Sequence, residues 1–220
     1  MKPSGSKRYD LVLLHGLLNM HRWSRRFLDR CVEHWGSGRV YVVYLNPPMD
    51  VWHKCLPHGT VSRPFSVIAH SMGGIVARRY MAVHPEEVAA LVTLGTPHHG
   101  SPLAEDYRWL GVLVGARGAF ANLTLSWLAR FNQAHPPGDH GPVYTVRGYG
   151  RPGLNWGVLG ELLAGGVHLR WRYGTRSDGL VPEGAAVIDG AVHIADLHGY
   201  HHLDLVRRPE VADLCARYLP

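Results

Sequence analysis

Short runs of Val, Leu and Ile, separated by mixed polar stretches, organise this chain. The runs at residues 9–14, 40–45, 65–69, 88–94, 143–148, 169–173 and 192–197 are bounded by glycine, proline or polar residues and read as strands. Residues 21–35, 73–84 and 209–218 read as helices, the last with Pro209 in a first turn where a missing N–H costs nothing. Apolar strands alternating with helices predict an α/β fold: a mainly parallel central sheet with helices on both faces. Between the second and third strands, Pro47, Pro48, Pro57, Gly59 and Pro64 leave room for a short helix at most, within residues 50–56. Trp52 is then the candidate to cover the sheet there.

Composition narrows the setting. With 220 residues, 46% hydrophobic and 18% charged, and with no linker-like stretch, the expectation is one domain over residues 1–220 and a monomer. No window approaches the roughly 20 apolar residues of a membrane span. The first eight residues lack an apolar signal core, so the chain as written is expected to be cytoplasmic, or secreted if a signal has been removed. The net charge of +6 comes mainly from arginines that are scattered rather than striped. That argues against nucleic acid as a partner and leaves transient contact with lipid interfaces. Cys31, Cys55 and Cys215 are odd in number and lack metal-ligand spacing, so they read as free thiols. His53, His58, His84, His135 and His140 also lack metal spacing, and neither a metal nor an organic cofactor is expected.

The chemistry concentrates at Ala69-His70-Ser71-Met72-Gly73-Gly74, between a predicted strand and a predicted helix. Small residues two before and two after Ser71 suit a very tight turn with a serine at its tip. Four further segments accompany it: His15-Gly16-Leu17-Leu18 after the first strand, Gly95-Thr96-Pro97-His98-His99-Gly100-Ser101, Ser177-Asp178-Gly179-Leu180-Val181-Pro182, and His201-His202-Leu203-Asp204. Together they resemble the small lipases and esterases of the α/β-hydrolase family, over residues 9–219. The expected fold is therefore a minimal α/β-hydrolase.

The resemblance implies a Ser-His-Asp triad of Ser71, His202 and Asp178, with the backbone N–H groups of Leu17 and Met72 as the oxyanion hole. His15 and His70 would orient the loops. Each role has a rival: Ser71 could be an ordinary helix N-cap and Asp178 a turn residue. Asp189 and Asp196 are reserve acids, and His201 and His198 compete with His202. Residues 101–140 and 150–167 are rich in apolar side chains and glycines, and read either as lid or pocket segments or as further core helices. The implied activity is hydrolysis of carboxylic esters of apolar acyl groups through an acyl-enzyme. Acyl transfer on the same fold, or a non-catalytic interaction protein, are the alternatives.

Overall fold

Among the described residues, six strands lie side by side, all parallel, in the order β2-β1-β3-β4-β5-β6. They are β1 (Asp10–Leu14), β2 (Val40–Val43), β3 (Phe65–His70), β4 (Val88–Leu94), β5 (Val143–Tyr149) and β6 (Val192–His198). This is a computed structural model, and it describes residues 8–17, 23–43, 61–113, 115–150 and 160–220. The helices are α1 (Arg25–Trp35), α2 (Met72–Val83), α3 (Pro102–Asp106), α4 (Arg108–Leu113), α5 (Arg117–Ala121), α6 (Leu125–Ala134), α7 (Gly160–Tyr173) and α8 (Pro209–Ala216).

Strand alternation sorts the core into two layers. Val12, Leu14, Val67 and Ala69 face one side and pack with Ile75 and Val76 of α2 and Leu128 and Phe131 of α6. Leu11, Leu13 and Ile68 face the other and pack with Phe27, Cys31 and Trp35 of α1 and Val211 and Cys215 of α8. The two thiols are buried, and burial pushes Cys31 up to about 12, so both serve as packing groups. From β1 the chain steps outward to β2, then returns past β1 to lay down β3, β4, β5 and β6 in the other direction. Such a reversal leaves a crevice at the carboxyl ends of β1 and β3, where parallel α/β sheets bind ligands.

Three expectations change. Residues 169–173 are not a strand but the end of α7. The alternation of Leu169, Trp171 and Tyr173 mimics a strand face, yet Leu169 is fully buried while Trp171 is 86% exposed. Burial here follows the helical spacing of Gly165 and Leu169. Helix α1 begins at Arg25 rather than at residue 21, because the Ser24 hydroxyl caps it by accepting the Phe27 N–H at 3.1 Å. Residues 102–131 form α3 to α5 and most of α6, and divide between the two readings: Leu103, Ala119, Leu128 and Phe131 are buried as core, whereas Trp109 and Val112 are exposed. The short-helix expectation for residues 50–56, with Trp52, lies outside the described residues.

Candidate active site

Ser71 sits where β3 turns into α2, with φ 55° and ψ −131°. It is the one non-glycine residue with positive φ among the described residues. Such a conformation costs about 1–3 kcal/mol, and the surrounding packing must hold it. Although Ser71 occupies the N-cap position of α2, its side chain makes no capping hydrogen bond, so the ordinary-cap reading does not describe it. Its N–H donates to the Leu94 carbonyl at 3.0 Å, anchoring the turn to β4.

The glycines around it are dictated by close backbone approach. A Cβ on Gly73 would collide with the His15 carbonyl oxygen, and one on Gly74 with the Thr96 side chain. A Cβ on Gly16 would lie 2.7 Å from the Ser71 Cβ, so the loop after β1 runs directly against the serine. The register of Leu14 opposite Ala69 brings these loops together. Met72 opens α2, where the Gly74 N–H donates to the Ser71 carbonyl at 3.0 Å and the N–H groups ahead of it have no preceding helical turn to bind, and Leu17 packs on the same apolar cluster as Met72.

Asp178 precedes β6 in the chain and His202 follows it, and the two side chains meet. The Asp178 Oδ2 accepts from the His202 Nδ1 at 2.7 Å, with both side chains almost wholly buried. The other carboxylate oxygen, Oδ1, accepts the N–H groups of Leu180 at 3.0 Å and Val181 at 2.8 Å, so the turn and the carboxylate orientation are one device. The Asp178 carbonyl accepts the His202 N–H at 2.8 Å, tying the two loops by backbone as well. With its Nδ1–H directed at the carboxylate, His202 keeps Nε2 as the basic atom. Gly95 makes the pair sterically feasible: a Cβ there would lie 2.7 Å from Asp178 Oδ2.

His70 connects this pair to the turn. Its Nε2 donates to the His202 carbonyl at 3.0 Å, and the two rings lie 4.4 Å apart between centroids. The rivals are committed elsewhere. Asp196 is held by Arg147 at 2.7 and 3.0 Å and by His193, and the Arg147 guanidinium in particular holds its carboxyl down to about 2. Asp189 is exposed, His198 stacks on Tyr149, and His201 lies half-buried against Gly150.

Sequence reasoning missed the support beneath residues 95–101. His98 is fully buried: its Nδ1 accepts from Arg78 Nη1 at 3.2 Å, and its Nε2 donates to Thr93 Oγ1 at 3.1 Å. Arg78 also reaches the Asn132 side chain at 2.9 Å and the His135 carbonyl at 2.7 Å, while Asn132 donates to the His98 carbonyl at 2.8 Å. An arginine in a helix as apolar as α2 was the available signal. Burial first, and then the neighbouring Arg78 cation, push His98 well below its ordinary range. The unfolded chain therefore takes up this proton first: stability is full at neutral pH and falls as pH drops below about 6.5. Denaturant unfolding at a series of pH values should show a slope of about one proton from this group below that point. His98→Gln should remove that component, and an unchanged slope would place the acid sensitivity elsewhere.

Residues 57–123 match the family described as "PGAP1-like alpha/beta domain". A triacylglycerol lipase of Pseudarthrobacter phenanthrenivorans is 28% identical in an alignment of 119 positions that covers 44% of this chain and 36% of the relative. Another, from Pseudomonas fragi, is 27% identical in an alignment of 148 positions that covers 59% of this chain and 48% of the relative. The matched region thus spans less than half of these curated relatives. Among solved structures, the mature form of the Bacillus licheniformis lipase BlEst2 superposes with a TM-score of 0.72 at 23% identity, over 95% of this chain and 90% of that one.

Proposed function

We propose, for a chain built on the α/β-hydrolase fold and related in sequence to triacylglycerol lipases, that it is a serine hydrolase cleaving carboxylic esters of apolar acyl groups. The observation that carries this reading is the buried Asp178–His202 pair, hydrogen-bonded at 2.7 Å and tied to His70, the residue next to a conformationally strained serine. A serine hydroxyl is a poor nucleophile until a base takes its proton. In this reading His202 Nε2 removes the Ser71 proton as Oγ attacks the ester carbonyl, and Asp178 stabilises the imidazolium. The oxyanion of the tetrahedral intermediate is held by the backbone N–H groups of Met72 and Leu17. His202 then protonates the departing alcohol, leaving an acyl-enzyme, and water activated by the same histidine releases the acid. The chain's own groups supply every step.

The apolar acyl preference rests on Leu17, Phe120, Leu123 and Trp127, partly exposed side chains packed on the cluster that includes Met72. The test is a rate series on p-nitrophenyl esters from acetate to palmitate, together with labelling by a fluorophosphonate probe. Labelling at Ser71 and an optimum at medium or long acyl chains is the expected result. A folded protein that neither labels nor turns over any ester would show a non-catalytic member of the fold.

A further inference from the structure

Helices α4 and α7 expose more apolar surface than packing requires. On α4, Trp109 and Val112 are 60% and 59% exposed, three residues apart and therefore on one face. On α7, Val167 and Trp171 are 43% and 86% exposed, four apart and again on one face. Isolated exposed apolar side chains are ordinary, but these two indoles, each with a valine on its own face, stand on helices that both pack against α3, and Tyr107 and His168 lie 5.6 Å apart between ring centroids, which places the two pairs in one apolar patch.

The patch is fixed rather than loose. Asp106, at the end of α3, accepts from His168 Nε2 at 2.7 Å and from the Tyr173 hydroxyl at 2.8 Å, and lies 3.8 Å from the Arg172 guanidinium. This hub is three residues from Trp109, and its partner His168 is three residues from Trp171, so it ties the two indole-bearing segments together. Gly165 and Gly166 let α7 press against the Asp178 loop: a Cβ on Gly165 would lie 2.7 Å from the Gly179 carbonyl oxygen. Helix α7 is thus seated on the loop that carries Asp178.

Its rim is cationic. Arg108 precedes Trp109 and Arg170 precedes Trp171, and both are exposed; Arg172, on the other side of Trp171, leans on Asp106. Asp106 is paired with Arg172 and His168, and the Glu105 carboxylate, the acidic group that remains beside α4, is directed at the Leu125 N–H at the start of α6. Indoles prefer the headgroup layer of a bilayer, and arginines pair with its phosphates. From this complementarity we propose that the α4–α7 face docks the protein on anionic lipid bilayers, independently of whether the site hydrolyses esters. No described helix is long and apolar enough to cross a membrane, so the contact is peripheral.

Co-sedimentation with vesicles tests this, using the Ser71→Ala protein so that hydrolysis of the lipid is not at issue. Vesicles of phosphatidylcholine containing about 30% phosphatidylglycerol should bind it much more strongly than phosphatidylcholine alone, and added salt should weaken the binding. Trp171→Ala and Trp109→Ala should each weaken partitioning about tenfold. Arg170→Gln should weaken it about fivefold on anionic vesicles only. Because these residues are exposed, the variants should keep the wild-type melting temperature. Equal binding to both vesicle types, no binding to either, or full binding by the double tryptophan variant would overturn the proposal. So would a dimer in sedimentation velocity that Trp171→Ala dissolves, which would make the face a contact between copies of this chain.

Discussion

Ser71→Ala is expected to lower kcat for ester hydrolysis by about 10⁶-fold while leaving the fold intact, as loss of a triad nucleophile does where its partners act as a unit. The structure adds a second variant that separates chemistry from strain. Ala keeps the Cβ in the unfavourable conformation at φ 55°, whereas glycine adopts positive φ readily. Ser71→Gly should therefore be as inactive as Ser71→Ala but more stable by about 1 kcal/mol in denaturant unfolding, the strain of the turn having been released. Activity retained in both variants would remove the serine from the mechanism. Equal stability of the two would mean that the turn is not strained in solution.

Asp178→Asn should lower kcat by about 10⁴-fold with little change in KM, for a reason specific to this turn. The position of Oδ1 must remain an acceptor, because it receives the N–H groups of Leu180 and Val181. An asparagine therefore keeps its oxygen there and turns its amide nitrogen toward His202. A donor facing Nδ1 forces the proton onto Nε2, the tautomer that cannot accept from a serine. Because the Leu180 and Val181 hydrogen bonds survive, the melting temperature should change little, and the loss would be one of tautomer. Asp196→Asn is the matching control: with its carboxylate paired to Arg147 directly across the β5–β6 ladder, it should leave kcat unchanged. Near-normal turnover in Asp178→Asn would return the acid role to Asp189 or Asp196.

Much of the architecture was legible because the relevant physics is local. Strands β3 and β4 carry apolar residues on both faces, broken by Ser66, His70 and Thr93, which marks a parallel sheet covered on both faces, and their extents follow from the turns that bound them. Ala69, Gly73 and Gly74 announce a tight elbow, since only small residues tolerate the approach of the His15 carbonyl and Thr96. The region after Gly150 was harder. Leu169 to Tyr173 alternates as a strand would, and nothing in its composition says that Gly165 and Gly166 will seat it as a helix on the Asp178 loop. Period-two and helical patterns are separable only when the partner surface is known.

Residue types, their order and the backbone demands of a turn were therefore set by the sequence itself: an α/β fold, a serine at an elbow, and an acid and a histidine downstream in a fixed order. Which acid meets which histidine was decided in three dimensions. Asp178, Asp189 and Asp196 are chemically equivalent in the chain. Only the strand order, the Gly95 notch and the Asx turn at Leu180 and Val181 bring one carboxylate to 2.7 Å from His202, while Arg147 takes another. The same holds for His98 and Arg78, whose pairing joins residues twenty apart from a loop and a helix. Spacing along a chain encodes local geometry, but contacts between distant segments depend on packing the whole sheet and its helices, and that is where the identity of each partner was fixed.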